Sequence, residues 1–220
     1  MGVITISRKM GSSGAYIGKK VAKRLGMCYV DKEIISEIMT EYGFSQFDTV
    51  YENVPSFWER YDSMRSSTIE FLIRTIEAIG SLDNVVIVGR GGFGIFDNYG
   101  DVLNIRVKAS FCLRVKRQMK EHGMTQQEAE EHVLQNDKVR RSFIESDFHM
   151  AYTNTQDFDL VLDSGVVNPD KAVTWICEAY RTLMKQGRCD TDKRVGDIQV
   201  DPILHKHAAA MLNRVLTKDE

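Results

Sequence analysis

A glycine–serine turn, Gly11-Ser12-Ser13-Gly14, separates a β-branched run (Val3, Ile4, Thr5, Ile6) from a segment with Ile17, Val21 and Leu25 at four-residue spacing. Strand, glycine-rich turn and helix N-terminus together aim backbone N–H groups and the positive end of a helix dipole at one point, which suits a phosphate. Gly11, Ser12, Ser13 and Gly14 are the expected backbone donors. Cations stand close to the turn, Arg8 and Lys9 before it and Lys19 and Lys20 after it, and others follow along the chain: Arg90 in Gly89-Arg90-Gly91-Gly92, Arg114 and Arg117, and Arg140-Arg141 after Asn136-Asp137. A guanidinium fork matches phosphate geometry. Phosphoryl transfer spreads charge over three equatorial oxygens, so it needs such clustered cations and N–H donors.

The elements that must position these residues alternate. Strands are expected at 3–7, 28–30, 85–88, 103–107 and 160–162, and helices at 13–25, about 34–42, about 56–79 and 110–122. Thr125-Gln126-Gln127-Glu128 reads as a capping box opening a helix toward Phe148, and Asn168-Pro169 as an N-cap with a first-turn proline. Continuous apolar strands separated by helices imply a parallel sheet covered on both faces. Ligands in such sheets sit at the carboxyl ends of the strands. Ser7 to Gly14, Asp31-Lys32, Gly89-Arg90 and Asp163-Ser164 should therefore converge on one cleft. Residues 186–200 read as a polar linker, and an amphipathic helix follows Asp201-Pro202, with Leu204, Ala208, Met211, Leu212 and Val215 on one stripe. This tail is expected to pack on the body or on a partner subunit, the latter giving a homodimer.

The bulk properties narrow the classes. A chain of 220 residues suits one α/β domain, and a formal net charge of −2 gives no general attraction to nucleic acid or to an acidic membrane. Cys28, Cys112, Cys177 and Cys189 are scattered, which argues against a zinc site and a disulfide framework. A strand expected from residue 3 leaves no room for a signal peptide ahead of it, and no apolar run approaches the ~18 residues of a membrane span. A reducing cytoplasm is the expected location.

The order and spacing of these motifs resemble the cytidylate-kinase-like family of P-loop nucleoside monophosphate kinases, over roughly residues 3 to 182. The opening ITISRKMGSSGAYIG is similar to that family's strand and Ser-Arg-x-x-Gly-Ser-Gly-Gly turn. Tyr29-Val30-Asp31-Lys32-Glu33 is similar to its acceptor-side segment, and Val88-Gly89-Arg90-Gly91 to the turn that meets the acceptor phosphate. Ala109-Ser110 to Arg117 resembles the entry to the lid, Asn136-Asp137-x-x-Arg140-Arg141 the lid's own charged residues, and Asp159 to Ser164 the last strand.

The resemblance implies a three-layer α/β sandwich with a five-stranded parallel sheet. Residues 1–185 would form the P-loop kinase-like domain, with a helical lid at about 110–150, and residues 186–220 a C-terminal helical extension. It implies ATP and Mg²⁺, a γ-phosphoryl transfer, and a small acceptor, foremost a nucleoside monophosphate. Arg8, Arg114, Asp137, Arg140 and Arg141 take the catalytic roles. Lys9, Gly11 to Gly14 and Arg117 hold the nucleotide, Asp31, Lys32 and Arg90 the acceptor, and Ser12 or Ser13 the metal. A lid that closes would exclude water.

The chain departs from the full Walker A pattern G-x-x-x-x-G-K-[ST]. A gapless overlay on cytidylate kinase puts Arg8 and Ser13 at its two glycines, Gly14 at the lysine and Tyr16 at the metal-ligating hydroxyl. Arg8 or Lys9 is expected to supply the missing cation. Glu37 stands where a cytidylate kinase carries an acceptor-side arginine, and Arg60, Arg65 and Arg74 are the candidate substitutes. Two other readings remain open: a non-catalytic nucleotide- or phosphate-sensing module, and a kinase of a non-nucleotide metabolite.

Overall fold

The computed structural model describes residues 2–44, 54 and 62–218. Five parallel strands, β1 (Val3–Arg8), β2 (Cys28–Val30), β3 (Val85–Val88), β4 (Val102–Lys108) and β5 (Leu160–Asp163), form one sheet in the order β2-β3-β1-β4-β5. β1 sits at the centre, in register with β3 (Ile6 opposite Val88) and with β4 (Arg8 opposite Val107). The loop after β1 thus emerges at the middle of the sheet's carboxyl edge.

Strand alternation feeds two cores. Ile4, Ile6, Val86, Val88, Leu103, Ile105 and Val107 pack with α1 (Gly14–Leu25) and α7 (Pro169–Gln186). Val3, Val85, Ile87 and Val102 face the other way, toward α2 (Lys32–Glu41), α3 (Ser63–Ser81) and α8 (Pro202–Lys218). The result is the three-layer α/β sandwich that the alternating pattern implied. A short helix, α4 (Gly92–Ile95), follows β3. α5 (Phe111–His122) and α6 (Gln126–Asp147) form an arm with a small core of its own at Val115, Ala129 and Val133. Thr125 caps α6 with the full capping box, and Asn168 caps α7 ahead of Pro169.

Two boundaries differ from the sequence reading. The helix expected from about Ser56 starts at Ser63, because Asp62 is extended and its carboxylate accepts the Met64 N–H; residues 55–61 lie outside the described residues. The segment read as a polar linker is pinned to the sheet. Arg188 donates to the Val102 carbonyl and to Asp159, Gly100 N–H bonds the Lys193 carbonyl, and Val195 N–H bonds the Asp101 carboxylate (3.1 Å). Buried side chains are few in this stretch, so periodicity could not reveal it. α8 then buries Leu204, Ala208, Met211 and Leu212 against the body.

Candidate functional site

The β1 loop is a tight, internally bonded turn. Lys9 N–H extends the β1–β4 ladder to Val107 O, and Ser12 N–H returns to Lys9 O. Gly11 and Ser13 are left-handed (φ 71° and 61°). Ile17 N–H bonds Ser13 O, so the N–H groups of Gly14, Ala15 and Tyr16 form the open N-terminal turn of α1. Gly14 is required by what crosses it: a β-carbon there would lie 2.5 Å from Arg8 Cβ. The Arg8 side chain runs over Gly14 and ends against Gly89, at the carboxyl end of β3.

Two grooves meet at that side chain. One, of about 350 Å³, runs along the loop and includes Lys9, Gly11, Ser13, Gly14 and Arg117. The other, of about 620 Å³, includes Lys19, Tyr29, Asp31, Lys32, Arg90 and Asn136. Arg8, Met10, Ala15 and Arg140 line both. The loops after β1, β2 and β3 thus converge as expected, and Ser164 after β5 joins them through the loop backbone.

Arg90 is buried at 2 % exposure in a left-handed conformation (φ 54°), between two glycines that are also left-handed. Backbone strain of this kind persists only where the surroundings enforce it, and it clusters at functional sites. With Arg8 and Arg140 it lines a hollow of about 20 Å³ beside the larger groove. Asp31 caps α2, accepting the Glu33 N–H (3.1 Å), and also lines the groove; burial, reinforced by Glu33, pushes its carboxyl upward. Cap and groove wall are the same residue.

The arm residues are placed differently from one another. Arg114, 3 % exposed, closes a two-pronged pair on Asp137 (3.1 and 2.8 Å), and Lys9 Nζ lies 3.9 Å from the same carboxylate. Arg117 donates to Gly11 O (3.0 Å) and grips Ser164 at both its hydroxyl (2.9 Å) and its carbonyl (2.8 Å). Arg140 donates to Arg8 O (3.1 Å). Arg141 is exposed on the next face of α6, its guanidinium 5.8 Å from the Tyr152 ring centre. Burial, and then the positive charges of Arg114, Arg106 and Arg141, hold Lys9 below the usual lysine range against the attraction of Asp137.

Of the two serines proposed for a metal, Ser12 is fully buried and donates its hydroxyl to Lys9 O (2.6 Å). Ser13 is the N-cap residue, and its side chain makes no cap hydrogen bond. Ser13 therefore fits a metal better. Among the described residues no three His, Cys, Asp or Glu side chains form a metal cluster. That is compatible with Mg²⁺, which is commonly held by one or two protein oxygens, substrate phosphates and water. Tyr16, at the Walker hydroxyl position in the overlay, donates to Asp170 (2.7 Å).

Two of the three candidate acceptor-side substitutes lie elsewhere. Arg65 is paired with Asp147 (2.6 Å), tying α3 to α6, and Arg74 pairs with Glu70 on an exposed helix face. Arg60 lies outside the described residues. Sequence reasoning passed over Arg106, buried at 7 % exposure with its guanidinium 4.6 Å from the Tyr152 ring centre. An arginine set between Ile105 and Val107 was the available signal. Lys19, 5.3 Å over the Tyr29 ring, also belongs to the acceptor-side groove.

This sheet order and this β1 loop define a P-loop kinase-like α/β protein. Residues 3–166 match the cytidylate kinase-like family, and the chain belongs to it. It is 25% identical over 178 residues to the cytidylate kinase of Ignicoccus hospitalis, spanning 80% of this chain and 97% of that one. The crystal structure of an uncharacterized protein from Eubacterium ventriosum superposes with a TM-score of 0.64 at 21% identity, over 82% of this chain and 98% of that one. A shikimate kinase from Bacteroides thetaiotaomicron superposes with a TM-score of 0.48 at 14% identity, over 82% and 98% of the two chains. Family and fold together support a phosphotransferase. No helix among the described residues is long and apolar enough to cross a membrane.

Proposed function

We propose that this protein transfers the γ-phosphoryl group of ATP to a small acceptor, a nucleoside monophosphate. The observation that carries the reading is the shared wall of the two grooves: Arg8 and Arg140 line both, at the point where a donor phosphate on the loop and an acceptor in the other groove would meet. The loop's N–H groups and the α1 N-terminus bind the phosphate chain. Arg8 supplies the positive charge that a lysine at Gly14 would otherwise bring. Asp31, Lys32 and Arg90 orient the acceptor, and Arg90 is pre-set by its glycine-flanked turn. A magnesium ion at Ser13 would neutralise phosphate charge and template the phosphate oxygens. The reaction needs no covalent intermediate, since positioning and charge stabilisation are sufficient.

The test is ADP formation from ATP and Mg²⁺ with a panel of nucleoside monophosphates and of small hydroxyl-bearing metabolites. ADP release that depends on a monophosphate supports the proposal. Release only with a hydroxyl metabolite keeps the phosphotransferase and removes the nucleotide acceptor. Nucleotide binding without turnover of any acceptor means a sensing module.

A further inference from the structure

The phosphate loop is held from outside by side chains that bind its own carbonyls. Met10 O accepts from Arg114 Nη1 (3.4 Å), Gly11 O from Arg117 Nη1 (3.0 Å), and Ser12 O from Ser164 Oγ (2.7 Å). All peptides here are trans, so each carbonyl points opposite to the N–H of the following residue. Three successive carbonyls drawn toward α5 and the end of β5 turn away the N–H groups of Gly11, Ser12 and Ser13. The Ser12 N–H is absorbed by Lys9 O, which leaves those of Gly11 and Ser13 beside the open turn of α1.

Ser164 is the hub of this brace. Its N–H bonds Lys108 O (2.8 Å), so its place is set by the β4–β5 ladder rather than by the loop. Its hydroxyl proton goes to Ser12 O while a lone pair receives Arg117, and its carbonyl receives the other Arg117 nitrogen. It is 5 % exposed.

We infer that Ser164 is a positioning residue for the donor phosphates, acting through the Ser12 peptide and through Arg117, whose fork it aligns on Gly11 O. Arg117 then shapes the loop rather than gripping the nucleotide directly. The inference rests on the reading of residues 8–14 as the phosphate loop. It adds that the loop's N–H array is preorganised by the end of the fifth strand.

The test is calorimetric titration of Mg²⁺–tripolyphosphate and Mg²⁺–ATP into the wild type, Ser164→Ala and Ser164→Thr, with a nucleoside monophosphate as a second ligand and a thermal melt of each variant. Ser164→Ala should weaken both phosphate chains about tenfold, the size of one lost hydrogen bond. It should leave the monophosphate unchanged, and Ser164→Thr, which keeps the hydroxyl, should restore most of the loss. If Ser164→Ala does not fold, Arg117→Lys, which keeps the charge and loses the fork, should show the same selective loss. Wild-type binding with no change in the variant overturns the inference and leaves the proposed function standing. An equal loss for every ligand, not restored by threonine, also overturns it, since that marks a general defect. A wild type that binds neither phosphate chain removes both readings.

Discussion

The Arg8 side chain ends on the spot where any residue but glycine at position 89 would place its β-carbon. One side chain thereby spans the carboxyl ends of the two adjacent strands β1 and β3, and it separates the loop groove from the acceptor-side groove while lining both. On the proposed function, the charge missing from the Walker lysine position comes from the other side of the loop. Gly14 and Gly89 are the two positions that let it through.

Gly89→Ala tests that passage. The new methyl would displace the guanidinium, and a left-handed φ of 86° strains any other residue. The variant should lose at least tenfold in kcat/KM, a shift of about 1.4 kcal/mol in transition-state stabilisation. Arg8→Ala should lose a similar amount, and the double variant little more, because both act on one group. Additive losses in a double-mutant cycle would contradict the coupling.

Asp137→Asn should destabilise the fold. Arg114 is almost fully buried and its fork is matched to this carboxylate. The Asp137 side chain keeps 22% exposure, so the expected loss is about 2 kcal/mol, below the 3–5 kcal/mol of a fully buried pair. Urea denaturation monitored by circular dichroism reads it directly. An unchanged midpoint would mean that the pair contributes no net stability.

Arg65 and Asp147 form a pair with both side chains only 9% exposed. Arg65→Met strands the carboxylate and should cost about 3–5 kcal/mol. Neither residue lines the grooves, so initial rates taken well below the melting temperature should match the wild type. A folded Arg65→Met with lost acceptor affinity would return this arginine to the acceptor site.

Lys9 bears on pH. Its native pKa lies below the ordinary lysine value of 10.5, chiefly through burial. Between the two values the unfolded chain binds more protons than the native one, so stability rises with pH across that window and levels off above it. Below the window the charged lysine costs stability. Lys9→Met should therefore raise the melting temperature at pH 7 and flatten the rise measured between the native value and pH 10.5. A lower melting temperature at pH 7 would show that the attraction of Asp137 outweighs burial.

How much of this was readable in sequence follows from the range of each signal. Strand and helix signals act locally, so the run from Val3 to Ile6 announced a strand, and Ile17 and Val21 a helix face, without a structure. The loop was legible because turn, strand and helix are contiguous. Partners were not. Arg114 and Arg117 lie three apart on one helix face, but nothing local says that one meets Asp137, 23 residues on, and the other the Ser164 end of β5. Arg65 looked like a substitute ligand because charge is visible in sequence, whereas its pairing with Asp147 across two helices is not. The Val195 anchor was hidden for the same reason, since its contact with Asp101 joins residues 94 apart.

On the proposed function, Arg8 takes the place of the Walker lysine. Its most direct test is calorimetric titration of Mg²⁺–ATP into the wild type and Arg8→Ala, with matched thermal melts to show that both are folded. Micromolar binding is expected for the wild type, with a loss of at least tenfold in the variant, on the order of 1.4 kcal/mol. Equal affinity in both proteins would contradict the claim, and no binding by a folded wild type would remove the triphosphate role of the loop.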